Sequence, residues 1–164
     1  MESGNLTRET ISHIYDHIYL SGMNFDKLHL QQFNIKYILR ILSQSQIPLC
    51  NNIDGIIYLN VICDDNPCVK IGSLFDQSHE FIDTSISMGS NVLVHCYAGV
   101  SRSATIVISY LMKTYNMTYN DAFSVVKLKR PIIDPNFGFC LELMEYEETL
   151  FNSQVSTSFI KIDN

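Results

Sequence analysis

The 164-residue chain is short of most features that mark whole classes of protein. It has no Cys-x-x-Cys pair. Its five cysteines, Cys50, Cys63, Cys68, Cys96 and Cys140, and its five histidines fall at no paired ligand spacing, so no metal site is expected. An odd number of scattered cysteines suits free thiols in a reducing, intracellular compartment. The opening residues, MESGNLTRET, are polar. That excludes the apolar core of a signal peptide, and the absence of glycine at position two excludes the N-myristoylation pattern. No apolar run reaches the roughly 18 residues of a transmembrane helix, so no membrane anchor is expected. Basic residues are outnumbered, 11 Lys and Arg against 17 Asp and Glu, for a net charge of −6. An acidic surface argues against nucleic acid or an anionic membrane as the main partner. There is no internal repeat and no low-complexity segment.

What remains is globular: 46% hydrophobic and 17% charged residues, enough chain to bury one core. Ile14, Ile18, Tyr19 and Leu20 suggest an opening strand or hairpin ending at Ser21-Gly22, and residues 24–33 a short helix. The branched apolar runs 36–42, 56–61 and 91–95 read as buried strands. Residues 43–54 and 62–72, with their Pro, Asn and Asp, read as loops. Residues 73–88 have helical spacing stopped by Gly89. Residues 102–115 are apolar nearly all round, the mark of a central helix. Thr118 is placed to cap a helix running to about Lys129, Pro131 and Pro135 mark a break, and a last helix spans about 136–151. The polar residues 152–164 read as a frayed, flexible tail beyond a domain covering 1–151. Apolar strands alternating with helices argue for an α/β fold, a mostly parallel twisted sheet flanked by helices. Such sheets bind ligands at the carboxyl ends of their strands.

His95-Cys96 stands at one such end, in VLVHCYAGVSRSATIVISYLM. A strand running through a glycine-containing turn into a helix makes an anion site, because successive N–H groups point inward and the helix N-terminus adds positive potential. The fork of Arg102 suits two phosphate oxygens at once. A free thiol has a pKa of about 8.5, and such a setting lowers it to roughly 3.5–7.5. A nucleophile and a phosphate cradle in one loop imply phosphoryl transfer through a phospho-cysteine.

HCYAGVSRS, 95–103, resembles the active-site signature of the cysteine-dependent protein phosphatases, and its AG-x-SRS form resembles the dual-specificity subfamily. The resemblance runs over about residues 10–150, through IYLSG at 18–22, FID at 81–83, SATIVISYLM at 103–112 and KLKRPIIDPNFGF at 127–139. It implies that Cys96 is the nucleophile and that Arg102 binds phosphate and stabilises the transition state. The backbone amides of Tyr97, Ala98, Gly99, Val100, Ser101 and Arg102 would complete the cradle. Ser103 would hydrogen-bond the sulfur and help it leave. His95 would set the loop and favour the thiolate; a buried histidine that only orients backbone is the plainer reading. Asn136 would support the active-site loop, or only cap the last helix.

The chemistry also needs a carboxylic acid to protonate the leaving oxygen. Asp64 and Asp65 both lie in the right loop. In the family the acid commonly precedes an apolar residue by six, which fits Ile71 and favours Asp65. The family often has an acidic residue just before that apolar position, whereas this chain has Lys70, which leaves the anchoring of the loop open. Cys63 and Cys68 flank the acid as redox partners for Cys96 or, more plainly, as ordinary thiols. The implied activity is hydrolysis of phosphotyrosine, and of phosphoserine and phosphothreonine, on a phosphoprotein substrate without metal or cofactor. Two alternatives are a phosphatase for a non-protein ester (a phosphoinositide, a glycan phosphate or an RNA 5′ end) and a non-catalytic phosphate-binding module.

Overall fold

A computed structural model describes residues 10–160, with side chains through Asn152. A five-stranded sheet lies at its centre, in the order β1-β2-β5-β3-β4. The hairpin of β1 (Ile11–Tyr15) and β2 (Ile18–Ser21) is the antiparallel part, turning through Asp16 at φ 41°. Strands β2, β5 (Asn91–His95), β3 (Ile35–Leu42) and β4 (Ile57–Ile62) are mutually parallel. The mostly parallel α/β sheet expected from the apolar runs is the one observed. Its middle strand is apolar on both faces because both are covered: Val92, Leu93 and Val94 have no exposed surface.

The larger core lies between one sheet face and four helices. These are α2 (Phe75–Ser87), α3 (Arg102–Tyr115), α4 (Tyr119–Lys129) and α5 (Phe137–Ile160). Every residue of α3 from Arg102 to Met112 is buried, so its unbroken apolar sequence reflects contact on all sides. The other face is covered by α1 (Lys27–Gln32), whose Leu30 packs with Ile11, Ile35, Ile38 and Leu93. This helix is shorter than its apolar pattern suggests. It starts at a reciprocal cap in which Asp26 accepts from the His29 amide, 3.0 Å away. Thr118 caps α4 by accepting from the Asp121 amide at 3.1 Å.

One boundary differs clearly. The tail expected from Asn152 continues as helix to Ile160. Its polar composition suggested fraying, yet residues 152–160 contain no Gly or Pro, so nothing in the backbone stops a helix already under way. Residues 161–164 lie outside the described part. Among the described residues no helix is long and apolar enough to cross a membrane.

Candidate active site

The site begins where β5 ends. β5 pairs with β2 on one side and β3 on the other, which fixes its last residue, His95, at the carboxyl edge of the sheet. The chain then wraps through residues 96–101 before α3 starts at Arg102. Gly99 makes this wrap possible. Its φ is +68°, and a Cβ there would sit 2.4 Å from the carbonyl carbon of Ser21, so only glycine fits.

The loop turns its carbonyls away from its centre, and each has an outside donor. Tyr97 O accepts from the Met23 amide at 3.1 Å and Val100 O from the Asp134 amide at 2.9 Å. Gly99 O accepts from Arg130 Nε at 2.8 Å, and Ala98 O faces Arg130 Nη2 at 3.5 Å. Ser101 O accepts from the amide and the hydroxyl of Thr105, both at 2.9 Å. Among the described residues, none of the amides from Tyr97 to Arg102 donates to a protein acceptor. A loop whose carbonyls are tied outward leaves its N–H groups to an anion, which is the physical content of a phosphate cradle.

Cys96 is buried at the base of this loop, and Ser103 Oγ donates to its Sγ at 3.2 Å. His95 is buried too. Burial pushes its ring down to about 4, against the opposing pull of its hydrogen bond to Cys96 O. The neutral ring therefore places its single proton on Nδ1, which donates to Cys96 O at 3.2 Å. That bond orients the Cys96 carbonyl.

Arg102 is 4% exposed and reaches back beside the loop. Its Nη1 donates to Gln46 Oε1 at 2.9 Å and to Cys63 O at 3.1 Å. Its Nε is buried without a hydrogen-bond partner and lies 3.9 Å from Asp65 Oδ2. Asp65 is thus brought to the loop, while among the described residues Asp64 makes no side-chain hydrogen bond or ion pair with it. Asp65 Oδ1 accepts from Ser101 Oγ at 2.7 Å and from Asn136 Nδ2 at 2.8 Å. Asn136 Oδ1 also accepts from the Phe139 amide at 3.0 Å, which caps α5.

The loop that carries Asp65 is clamped to α5. A Cβ on Gly138 would collide with the backbone of Pro67, so helix and loop touch main chain to main chain. Lys70, which broke the expected pattern, pairs with Glu142 at 2.6 Å, and the other oxygen of Glu142 accepts from the Gly72 amide at 3.1 Å. All five cysteines are free. Cys63 is buried and its thiol is pushed up to about 11 by that burial, while Cys68 is exposed.

Sequence reading missed Gln46, Arg130 and Glu142. Gln46 sat in a loop read only as polar, and Arg130 in a stretch quoted only for its resemblance. Nothing local distinguishes them; each takes its role from a partner 31 to 72 residues away.

Comparison with known proteins agrees with this arrangement. The family model described as "Dual specificity phosphatase, catalytic domain" matches residues 18–149. Human dual specificity protein phosphatase 8 is 39% identical over 144 residues, covering 85% of this chain and 22% of that protein. Human serine/threonine/tyrosine-interacting protein is 50% identical over 90 residues, covering 55% of this chain and 40% of that protein. The chain therefore spans only about a fifth to two fifths of the length of these relatives. The crystal structure of the human tyrosine phosphatase-like serine/threonine/tyrosine-interacting protein superposes with a TM-score of 0.81. It is 37% identical, and the match covers 86% of this chain and 97% of that one. The chain belongs to the dual specificity phosphatases of the cysteine-dependent tyrosine phosphatase superfamily.

Proposed function

We propose that the chain hydrolyses phosphotyrosine, and phosphoserine and phosphothreonine, on protein substrates through a phospho-cysteine. The observation that carries this is the placement of Cys96 beneath a loop whose carbonyls are all tied outward, with Asp65 held at its edge. In the first step the Cys96 thiolate attacks phosphorus. The S–P bond forms as the bond to the leaving oxygen breaks, and Asp65 gives that oxygen a proton. The amides of Tyr97 to Arg102 and the Arg102 guanidinium hold the equatorial oxygens, where charge spreads in the transition state. In the second step water attacks phosphorus, Asp65 takes its proton, and the S–P bond breaks. Ser103 Oγ, already donating to Sγ, supports the departing sulfur. Asn136 and Ser101 position the Asp65 carboxyl, and His95 holds the Cys96 carbonyl.

The test is turnover of a small aryl phosphate in EDTA and reductant, beside Cys96→Ser. Wild-type turnover with at least about 10⁴-fold loss in the variant is expected, as for removal of a covalent nucleophile. Radiolabelled phosphotyrosyl and phosphothreonyl peptides then define the substrate class. One relative is named for interaction and described as phosphatase-like. A reduced wild-type chain that binds phosphopeptide but releases no phosphate would favour that second reading, a phosphate-binding module.

A further inference from the structure

The structure assigns to Gln46 a part in the reaction. It positions Arg102 for phosphate through a neutral acceptor, adding no negative charge to that of Asp65. This rests on the phosphatase reading above and goes beyond it, because Gln46 lies far from the Cys96 loop in sequence, in the polar connection between β3 and β4.

That connection folds back on itself around the Gln46 side chain. The Gln46 amide N–H donates to Ser43 O at 2.9 Å, and the Ser43 amide N–H donates to Gln46 Oε1 at 3.1 Å. A 3₁₀ turn containing Pro48 follows immediately, over Ile47–Leu49, and stiffens the exit. The side-chain oxygen therefore has a fixed position, and it receives Arg102 Nη1 at 2.9 Å. Both of its partners are donors, so the atom facing Arg102 is the carbonyl oxygen of the amide and not its nitrogen.

A buried arginine is usually matched by a carboxylate that also hydrogen-bonds it. Arg102 has a carboxylate only at ion-pair distance. The two acceptors at Nη1, Gln46 Oε1 and Cys63 O, are both neutral. The carboxylate beside it, Asp65, stands 3.9 Å from Nε, outside hydrogen-bond range. The guanidinium is thus held at one corner by uncharged oxygens, with a buried donor unpaired at Nε. Such an arrangement fixes the fork at Nη1 without adding a second carboxylate to Asp65, so less of its charge is offset before a phosphate dianion arrives. A glutamate at position 46 would have the same shape and would bind Arg102 more strongly, yet it would neutralise the charge the substrate needs.

This contrast gives a test that a purely structural role would fail. Tungstate is the probe, and its binding is read by titration and by the rise in melting temperature, beside aryl phosphate turnover. Gln46→Ala removes one acceptor but leaves Cys63 O in place, and tungstate affinity should weaken about fivefold. Gln46→Glu should weaken it by about thirtyfold or more, with kcat/KM falling in the same order, although its melting temperature without tungstate stays close to wild type. Lowering the pH to protonate the introduced carboxyl should restore tungstate affinity toward the Ala value. A glutamate variant that binds tungstate better than the alanine variant, or an alanine variant equal to wild type, overturns the inference. Should Gln46→Glu fail to fold, Gln46→Met keeps the shape without the acceptor; it must lose affinity as Ala does, or the inference falls. A wild type that binds tungstate in this order but hydrolyses nothing would sink the phosphatase reading and leave this one standing. A wild type that does not bind tungstate sinks both.

Discussion

The two loops that make the site are held by different means. The Cys96 loop is fixed through its own backbone: Tyr97, Gly99, Val100 and Ser101 each offer a carbonyl to a donor outside, and Gly99 supplies the one conformation that lets the chain close. The Asp65 loop is fixed mostly through side chains that lie outside it. Ser101 of the Cys96 loop and Asn136, just before α5, hold the carboxyl, Glu142 receives Lys70 and the Gly72 amide, and the backbones of Gly138 and Pro67 touch. A cradle built from amides tolerates no shift, since every donor must point at one centre. A carboxyl in the proposed role of acid tolerates small displacement, because its proton has only one acceptor to reach. Substitutions in the first loop should therefore act on the whole site, and substitutions in the second on one step.

The sharpest contrast comes from Gly99→Ala. Its Cβ would meet the Ser21 backbone at 2.4 Å at a φ of +68°, and neither contact can relax through a flexible side chain. It should lower stability by at least about 2 kcal/mol and abolish both turnover and tungstate binding, measured by urea unfolding and titration. Retained tungstate binding would break the claim that the amides are the cradle.

Acid should destabilise the fold through two buried histidines, one beside Cys96 and one under the helices. His95, and His79 packed on Phe75 beneath α3, are both pushed down to about 4 by burial. An unfolded histidine titrates near 6.5, so below that pH the unfolded chain takes up protons that the folded chain refuses. The stabilising contribution is complete above about pH 6.5 and is lost as pH falls toward about 4, by up to about 3 kcal/mol per histidine. Urea midpoints at pH 7 and pH 5 should differ clearly in wild type and less in His79→Gln; parallel losses in both would remove His79 from the account.

Asp65→Asn should lower kcat by about 10²-fold with little change in tungstate affinity, and should remove the limb of the kcat/KM profile that reports the acid. Asp64→Asn should do neither, and equal losses from the two would dissolve the assignment. The smallest effect is expected at the anchor. Glu142→Ala frees Lys70 and the Gly72 amide together and should cost about threefold in kcat at unchanged KM. Lys70→Ala should cost less, because its ammonium is mostly in water.

Much of this was legible because it is local. β5 and α3 fall where their apolar patterns put them, at 91–95 and 102–115, since a strand or helix buried on all sides announces itself residue by residue. The signature HCYAGVSRS carries its own geometry in Gly99 and the groups of the proposed chemistry in Cys96 and Arg102. The end of α5 was harder to place: helix termini without Gly or Pro depend on cooperativity, and composition is a weak guide to that.

The sequence by itself determined the order of strands and helices, the apolar core and a thiol beside an arginine at a strand end, because those properties live in side-chain chemistry and short spacing. Only the tertiary structure decided that Asp65 stands beside that arginine, that Asn136 both caps a helix and holds the Asp65 carboxyl, and that Gln46, Arg130 and Glu142 reach the loops around it. Each of these is a polar residue whose meaning is its partner. The partner is chosen by how the sheet and helices pack, across separations that no local pattern spans.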